Sequence, residues 1–304
     1  MNWSSWPLPL SALILAPLLP GVTNRVKAFF AGRQGPPVLQ LYYDLAKLLR
    51  KGAVYSRSTG WIFRAAPSVV VACAAAGTLF LPMGGWAGMA AFPGDLILLA
   101  YLLGLARLAM ILAALDTASA FEGMGASREA QFSALAEPAF FLGALVLVML
   151  TGHTGISGIF GEWNGRVWLT RPDLPALVAA CWFVILLTEN ARIPVDDPNT
   201  HLELTMIHEV MILDHSGPDL AFMLYGAALK YWIYSALMTN LLLPLGALDG
   251  AARAAAFAGG MIGVAMATGL VESVMARLRL RQIPKLLIGS GALAATALIL
   301  QAVA

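Results

Sequence analysis

TENARIPVDDPNTHLELTMIHEVMILDHSG, residues 188–217, is the stretch on which the reading of this chain turns. It holds Glu189, Asp196, Asp197, Glu203, Glu209 and Asp214 against one cation, Arg192, and Asp219 lies just beyond it. His201, His208 and His215 fall inside it as well. On both sides the chain is apolar for long enough to lie in lipid. A polar segment this rich between two membrane helices is read as the working surface of the protein.

The whole composition agrees with a membrane setting. The 304 residues are 59% hydrophobic and 12% charged, with mean hydropathy +0.76. A soluble domain carries about twice that charged fraction. The net charge of +2, with no basic tail, gives no footing for nucleic acid. Cys73 and Cys181 stand alone in apolar runs, with no C-x-x-C pair to hold zinc or an iron–sulfur cluster. The first apolar run has no positive segment before it; Arg25 and Lys27 follow it, so it is read as a span and not as a cleaved leader.

A spanning helix needs about 20 apolar residues. Eight candidates emerge, at 5–22, 65–82, 95–115, 131–151, 174–189, 219–244, 254–272 and 285–303. Fourteen of the 19 Lys and Arg residues fall in alternate connections, eight of them between 23 and 64. By the positive-inside rule that side is cytoplasmic. The expectation is an all-α, polytopic, single bundle over 1–304, with both termini external and 188–217 facing the cytoplasm.

Between the first two spans, PVLQLYYDLAKLLRK (37–51) splits into an apolar half and a polar half carrying Asp44 and Lys47. That pattern describes an amphipathic helix in the membrane interface, a surface anchor or a lip over a cavity. After Pro194 and Pro198, NTHLELTMIHEVM should restart a helix, with Asn199 or Thr200 at its N-cap. His201, Thr205 and His208 then share one face, with Glu209 on its flank. Two histidines seven apart lie about 10 Å apart along a helix, too far for one metal ion. A polar face on a wet cavity is the better use, and no metal site is expected.

Ionisable groups inside the spans are Arg107, Glu137, Glu189, Lys230 and Glu272. Such groups are costly in lipid, turn inward and mark ion pathways. Glu137 precedes Pro138, which cannot donate to the helix ladder. Glu137, Glu189, Glu203, Lys230 and Glu272 are the candidate proton relay. Arg33, Asp44, Arg107, Arg128, Arg192, Asp196, His201, His208 and Glu209 are candidates for shaping the cavity and its loop. No phosphate loop, nucleophile triad or dinucleotide fingerprint is present, so no catalytic residue is assigned.

These residues resemble a known family. ENARIPVDDPNTHLEL is similar to the signature of respiratory complex I subunit 1, E-x-x-R-x-P-x-D and then an acidic stretch ending in E-L. Glu189, Arg192, Pro194, Asp196 and Glu203 fall on it. Arg33, Gly35, Pro36, Leu39, Gln40, Asp44 and Lys47 resemble the family's first loop and amphipathic helix. GASREAQFSALAEP, with Arg128 and Glu137, resembles its third loop and fourth span. ESVMARLRL resembles the seventh-span exit in formate hydrogenlyase and other energy-converting, membrane-bound [NiFe] hydrogenases. Asn199 and His201 stand where quinone-reducing members carry acids, and Met211 stands where the family has a late Glu. These departures argue for the hydrogenase branch over quinone binding.

The resemblance implies an eight-helix subunit in the inner membrane of a prokaryote. It implies docking beneath hydrogenase-like large and small subunits, which carry the NiFe and iron–sulfur centres, and beside antiporter-like membrane subunits. No cofactor is expected in this chain. The function expected is that of a membrane anchor and proton-coupling subunit, joining electron transport to energy conversion. The alternative is the quinone-binding subunit of a complex I-type NADH:quinone oxidoreductase. A self-contained ion transporter is a third class, distinguished by carrying ions when reconstituted alone.

Overall fold

The computed structural model describes residues 5–163, 165–196, 206–248 and 250–303. Among them the regular elements are helices, apart from one isolated bridge between Met83 and Trp86. Helix α1 (Pro7–Leu15) and helix α2 (Leu18–Phe30) form one apolar run broken at Ala16–Pro17 and bent by 41°. Pro17 has no N–H to give the carbonyl one turn earlier, so the ladder stops there. Helix α3 (Gln40–Leu49) lies within the amphipathic stretch 37–51 and packs on α2 and on a helix much later in the chain, Gly217–Leu242.

Three long helices follow: α4 (Trp61–Thr78), α5 (Asp95–Asp116) and α6 (Ala120–Thr151). Asp116 ends α5 and caps α4, accepting the N–H groups of Gly60 at 2.6 Å and Phe63 at 3.3 Å. Gly152, left-handed at φ 72°, ends α6. Short helices α7 (Ile156–Gly161) and α8 (Gly165–Thr170) lead to α9 (Asp173–Glu189). One helical turn, α10 (His208–Met211), precedes α11 (Gly217–Leu242), α12 (Gly250–Val274) and α13 (Ile283–Val303).

Six helices are long and apolar enough to cross a bilayer, and the bent α1–α2 pair makes a seventh when counted as one span. The chain is a multi-pass, all-α membrane protein. The expected span 174–189 is α9, whose 17 residues reach about 26 Å, at the lower limit for a crossing. It is deeply buried between α6 and α13. Residues 120–130, read from sequence as part of a connection, are instead the first turns of α6, which runs for 32 residues through Pro138. The helix restart expected at Asn199 or Thr200 lies outside the described residues, as do His201 and Glu203; the described part shows a helix only from His208.

The connections sort to two ends. At the Lys/Arg-rich end, Ser216 and Val54 exchange hydrogen bonds and the Leu278 N–H reaches the Pro194 carbonyl at 2.9 Å. At the opposite end, Asp95 accepts the Ile156 N–H at 2.6 Å, and the Trp163 indole donates to the Leu241 carbonyl at 2.8 Å.

Candidate functional site

Arg107 sits near the middle of α5 and is 6% exposed. A guanidinium presents its donors in a rigid fork, so it can serve several acids at once. Here it serves three. Nη1 donates to Glu137 of α6 at 2.6 Å, Nη2 donates to Glu189 at the end of α9 at 2.6 Å, and Nε lies 3.6 Å from Glu129 of α6. Lys230 of α11 lies 3.8 Å from the other Glu189 oxygen. Four helices therefore converge on three carboxyls and two cations. Glu189 and Glu129 are buried, while half of the Glu137 side chain is exposed at the flank of the bundle.

A second centre forms around Glu272 of α12. Its oxygens lie 2.7 Å from Lys27 of α2 and 3.4 Å from Arg192. The Arg192 guanidinium also stacks 5.0 Å above the ring of Tyr231. Glu272 thus stands apart from the Arg107 group, although the sequence places it in the same candidate relay.

A cavity of about 340 Å³ links the two centres, with Glu189, Arg192, Lys230, His208, Glu209 and Asp44 in its wall. A smaller space of about 30 Å³, bordered by Arg107, Lys230 and His208, continues inward. A third, of about 10 Å³, lies between Glu129, Glu189 and Asp196. One water needs about 10–15 Å³ and several polar partners, so the first two spaces admit water and the third is at the threshold. The large cavity and the 30 Å³ space share His208, Ala227 and Lys230 in their walls, so the two lie side by side next to the Arg107 group.

The segment 206–216, which puts His208, Glu209 and Ile212 in the wall of the large cavity, is fastened by hydrogen bonds. Asp196 accepts the N–H groups of Ile207 and His208 at 3.1 Å each, and Arg277 donates to its other oxygen at 2.7 Å. Arg128 of α6 donates to the Met206 carbonyl at 2.8 Å, and the Asp214 N–H reaches Glu122 at 3.1 Å. Burial, with Lys230 and Arg192 nearby, pushes the His208 imidazole down to about 3, against the pull of Glu189. Burial likewise pushes His215 to about 4; its ring lies flat on Phe63, centroids 3.9 Å apart. Both are neutral imidazoles near pH 7.

Of the relay candidates, Glu137, Glu189 and Lys230 come together. Asp44 reaches the cavity wall and takes a hydrogen bond from Gln40 at 2.9 Å. Arg33 is exposed in the connection before α3. No cluster of three or more His, Cys, Asp or Glu fit for a metal ion occurs among the described residues. Sequence reasoning missed Glu129, Lys27 and Arg277. Glu129 was findable: it lies eight residues before Glu137, on the same helical face, once α6 is drawn through residue 129.

A helical bundle with six to seven apolar helices long enough to cross a bilayer, a buried ionic centre and a polar strap across one end defines a multi-pass integral membrane protein. The chain belongs to the family described as NADH dehydrogenase, which matches residues 7–303. It is 33% identical over 293 residues to formate hydrogenlyase subunit 4 of Escherichia coli strain K12, covering 92% of this chain and 93% of that one. It is 35% identical over 238 residues to hydrogenase-4 component C of the same organism, covering 77% and 73%. An NADH-quinone oxidoreductase subunit of Rubrobacter xylanophilus is 31% identical over 204 residues, with 63% and 60% covered. The fold matches a chain of the membrane-bound sulfane sulfur reductase (MBS), an archaeal respiratory membrane complex, with TM-score 0.84 and 98% of each chain covered, at 20% identity.

Proposed function

We propose that this chain is the membrane anchor and proton-coupling subunit of an energy-converting [NiFe]-hydrogenase-type complex of the formate hydrogenlyase kind, in a prokaryotic inner membrane. The observation that carries the reading is the Arg107 centre: among the described residues, three carboxyls against two cations, with Glu189 and Lys230 also in the wall of the large cavity. One acid more than the bases leaves a place for one transferable proton. Redox chemistry belongs to partner subunits, which hold the NiFe and iron–sulfur centres and dock at the Lys/Arg-rich end. A unit charge arising about 6 Å from a carboxyl, at effective dielectric 20, is worth roughly 3 kcal/mol, or about two pKa units. That suffices to move a proton. Glu189 takes the signal at the cavity, and Glu137, at the flank, hands it to antiporter-like neighbours. Glu203, which lies outside the described residues, stays a candidate relay acid by its place in the sequence. Asp196 and Arg192 hold the shape.

Glu137→Gln tests this in the assembled complex. Coupled ion movement should disappear while hydrogen evolution with artificial electron donors persists. Full retention of ion movement removes Glu137 from the scheme. The second reading, a quinone site, draws on the size of the charged cavity, about 340 Å³, and on the similarity to NADH-quinone oxidoreductase subunits. Stoichiometric quinone in the purified complex, or inhibition by a quinone-site inhibitor, would favour it.

A further inference from the structure

The broken first helix divides two cavities of equal size and opposite chemistry. Pro20 and Asn24 of α2 face the charged cavity of about 340 Å³. Leu15, Leu18, Leu19 and Val22 face a second, almost wholly apolar cavity of about 340 Å³, walled on its far side by Ala254, Phe257, Met261 and Ile262 of α12.

The break also strips two carbonyls of their helical donors. Pro17 offers no N–H to the Leu13 carbonyl, and the new helix begins only at Leu18. Unpaired backbone carbonyls are costly in an apolar setting. Two tyrosines from other elements take them up. Tyr225 of α11 donates its hydroxyl to the Leu13 carbonyl at 2.8 Å, and Tyr42 of α3 donates to the Ile14 carbonyl. Their chain neighbours Leu224, Leu41 and Asp44 are part of the wall of the charged cavity. Gly21 adds a third fastening: a Cβ there would lie 2.1 Å from the Val38 carbonyl oxygen, so the chain entering α3 is pressed onto the α2 backbone. The three helices that wall the cavity on this side are joined at the break itself.

We propose that Tyr42 and Tyr225 latch the broken helix as a closed partition and so decide what reaches the charged cavity. Water and protons enter among the polar side chains of the charged cavity's own wall; membrane-dissolved amphiphiles, an apolar chain with a polar head, are kept out. If the partition swings, the two cavities join and a path opens from hydrocarbon to Lys230 and Glu189. This deepens the proposed function, resting on it for the cavity being the working site. One hydrogen bond of this kind shifts an opening equilibrium by about threefold to tenfold.

The test uses the whole complex in vesicles, with Cys73→Ala, Cys181→Ala and Ala227→Cys in this chain. Ala227 faces the charged cavity. A long-alkyl maleimide dissolved in the bilayer and a sulfonated, water-soluble maleimide are compared, and labelling of the residue-227 peptide is followed by mass spectrometry. Adding Tyr42→Phe and Tyr225→Phe should raise the alkyl reagent's rate about tenfold or more and leave the sulfonated reagent's rate within about twofold. Tyr225→Phe alone, which keeps the ring, should give about threefold. An unchanged alkyl rate overturns the proposal, as does an equal rise with both reagents. Labelling needs no ion movement, so its outcome is independent of whether Glu137→Gln abolishes that movement.

Discussion

The Arg107 and Glu272 centres are built from the same groups with opposite surpluses. Around Arg107, three carboxyls share two cations. Around Glu272, two cations, Lys27 and Arg192, share one carboxylate. The first can take up a proton and still keep ion pairs. The second cannot: protonating Glu272 would leave two cations facing each other in a buried place. One centre is therefore suited to changing its charge. The other is suited to fastening α2, the turn after α9 and α12 together. Glu189 and Arg192, one member of each, face the same cavity, so a charge that moves in the first is felt against a fixed charge in the second.

The comparison breaks most sharply at Arg107. Arg107→Ala leaves its carboxyls without their shared partner, and breaking a buried pair costs about 3–5 kcal/mol. Recovery of assembled complex should fall steeply; recovery like that of the unaltered protein would sink the distinction. Glu272→Gln leaves Lys27 and Arg192 facing each other without their shared carboxylate. It should cost a comparable amount, about 3–5 kcal/mol as for a broken buried pair, seen as a lower thermal inactivation midpoint, with ion movement per hydrogen evolved unchanged in the molecules that assemble. Glu137→Gln should give the reverse pattern, with stability kept and movement lost.

His215 sharpens the picture by showing a buried group with no charge to exchange. Its folded value of about 4 lies below the unfolded value of about 6.5. Between these the unfolded chain takes a proton that the folded one refuses, so stability falls as pH falls through that window and is fully present above it. By pH 4 the loss should reach about 3 kcal/mol, read as faster hydrogen exchange of residues 206–216. His215→Phe should flatten that dependence; an equally steep profile in the variant would refute the assignment. The smallest effect belongs to Arg277→Gln. It removes one donor to Asp196, which keeps the Ile207 and His208 N–H groups, and should cost about 1 kcal/mol, detected as modestly faster exchange at those two residues.

Much of the fold was legible because lipid imposes one rule, long apolar runs, and the sequence obeys it from Trp61 to Val303. The amphipathic helix was legible from its two-sided pattern. Three features were not. Residues 120–130 are too polar to read as a span, yet they form helix because α6 extends past the apolar layer. Pro17 lies inside a run that hydropathy treats as continuous, so the break was invisible. The partners of Glu272 come from residues 27 and 192, and no local spacing links these to 272. The deep charges Arg107, Glu137, Glu189 and Lys230 were findable one by one, since each is anomalous in its own span. Their grouping depends on helix packing, which periodicity alone does not give.

Helix α6 carries more than its share of these connections. Its 32 residues measure about 48 Å against a hydrocarbon layer of about 30 Å. Near its start it holds the strap at Asp214 and Met206, and further along it offers Glu129 and Glu137 to the same guanidinium. No break interrupts α6 between residues 122 and 137, so the strap and the Arg107 centre ride on one rod, and a turn of about ten degrees, which displaces a side-chain tip by about 1 Å, would be felt at both.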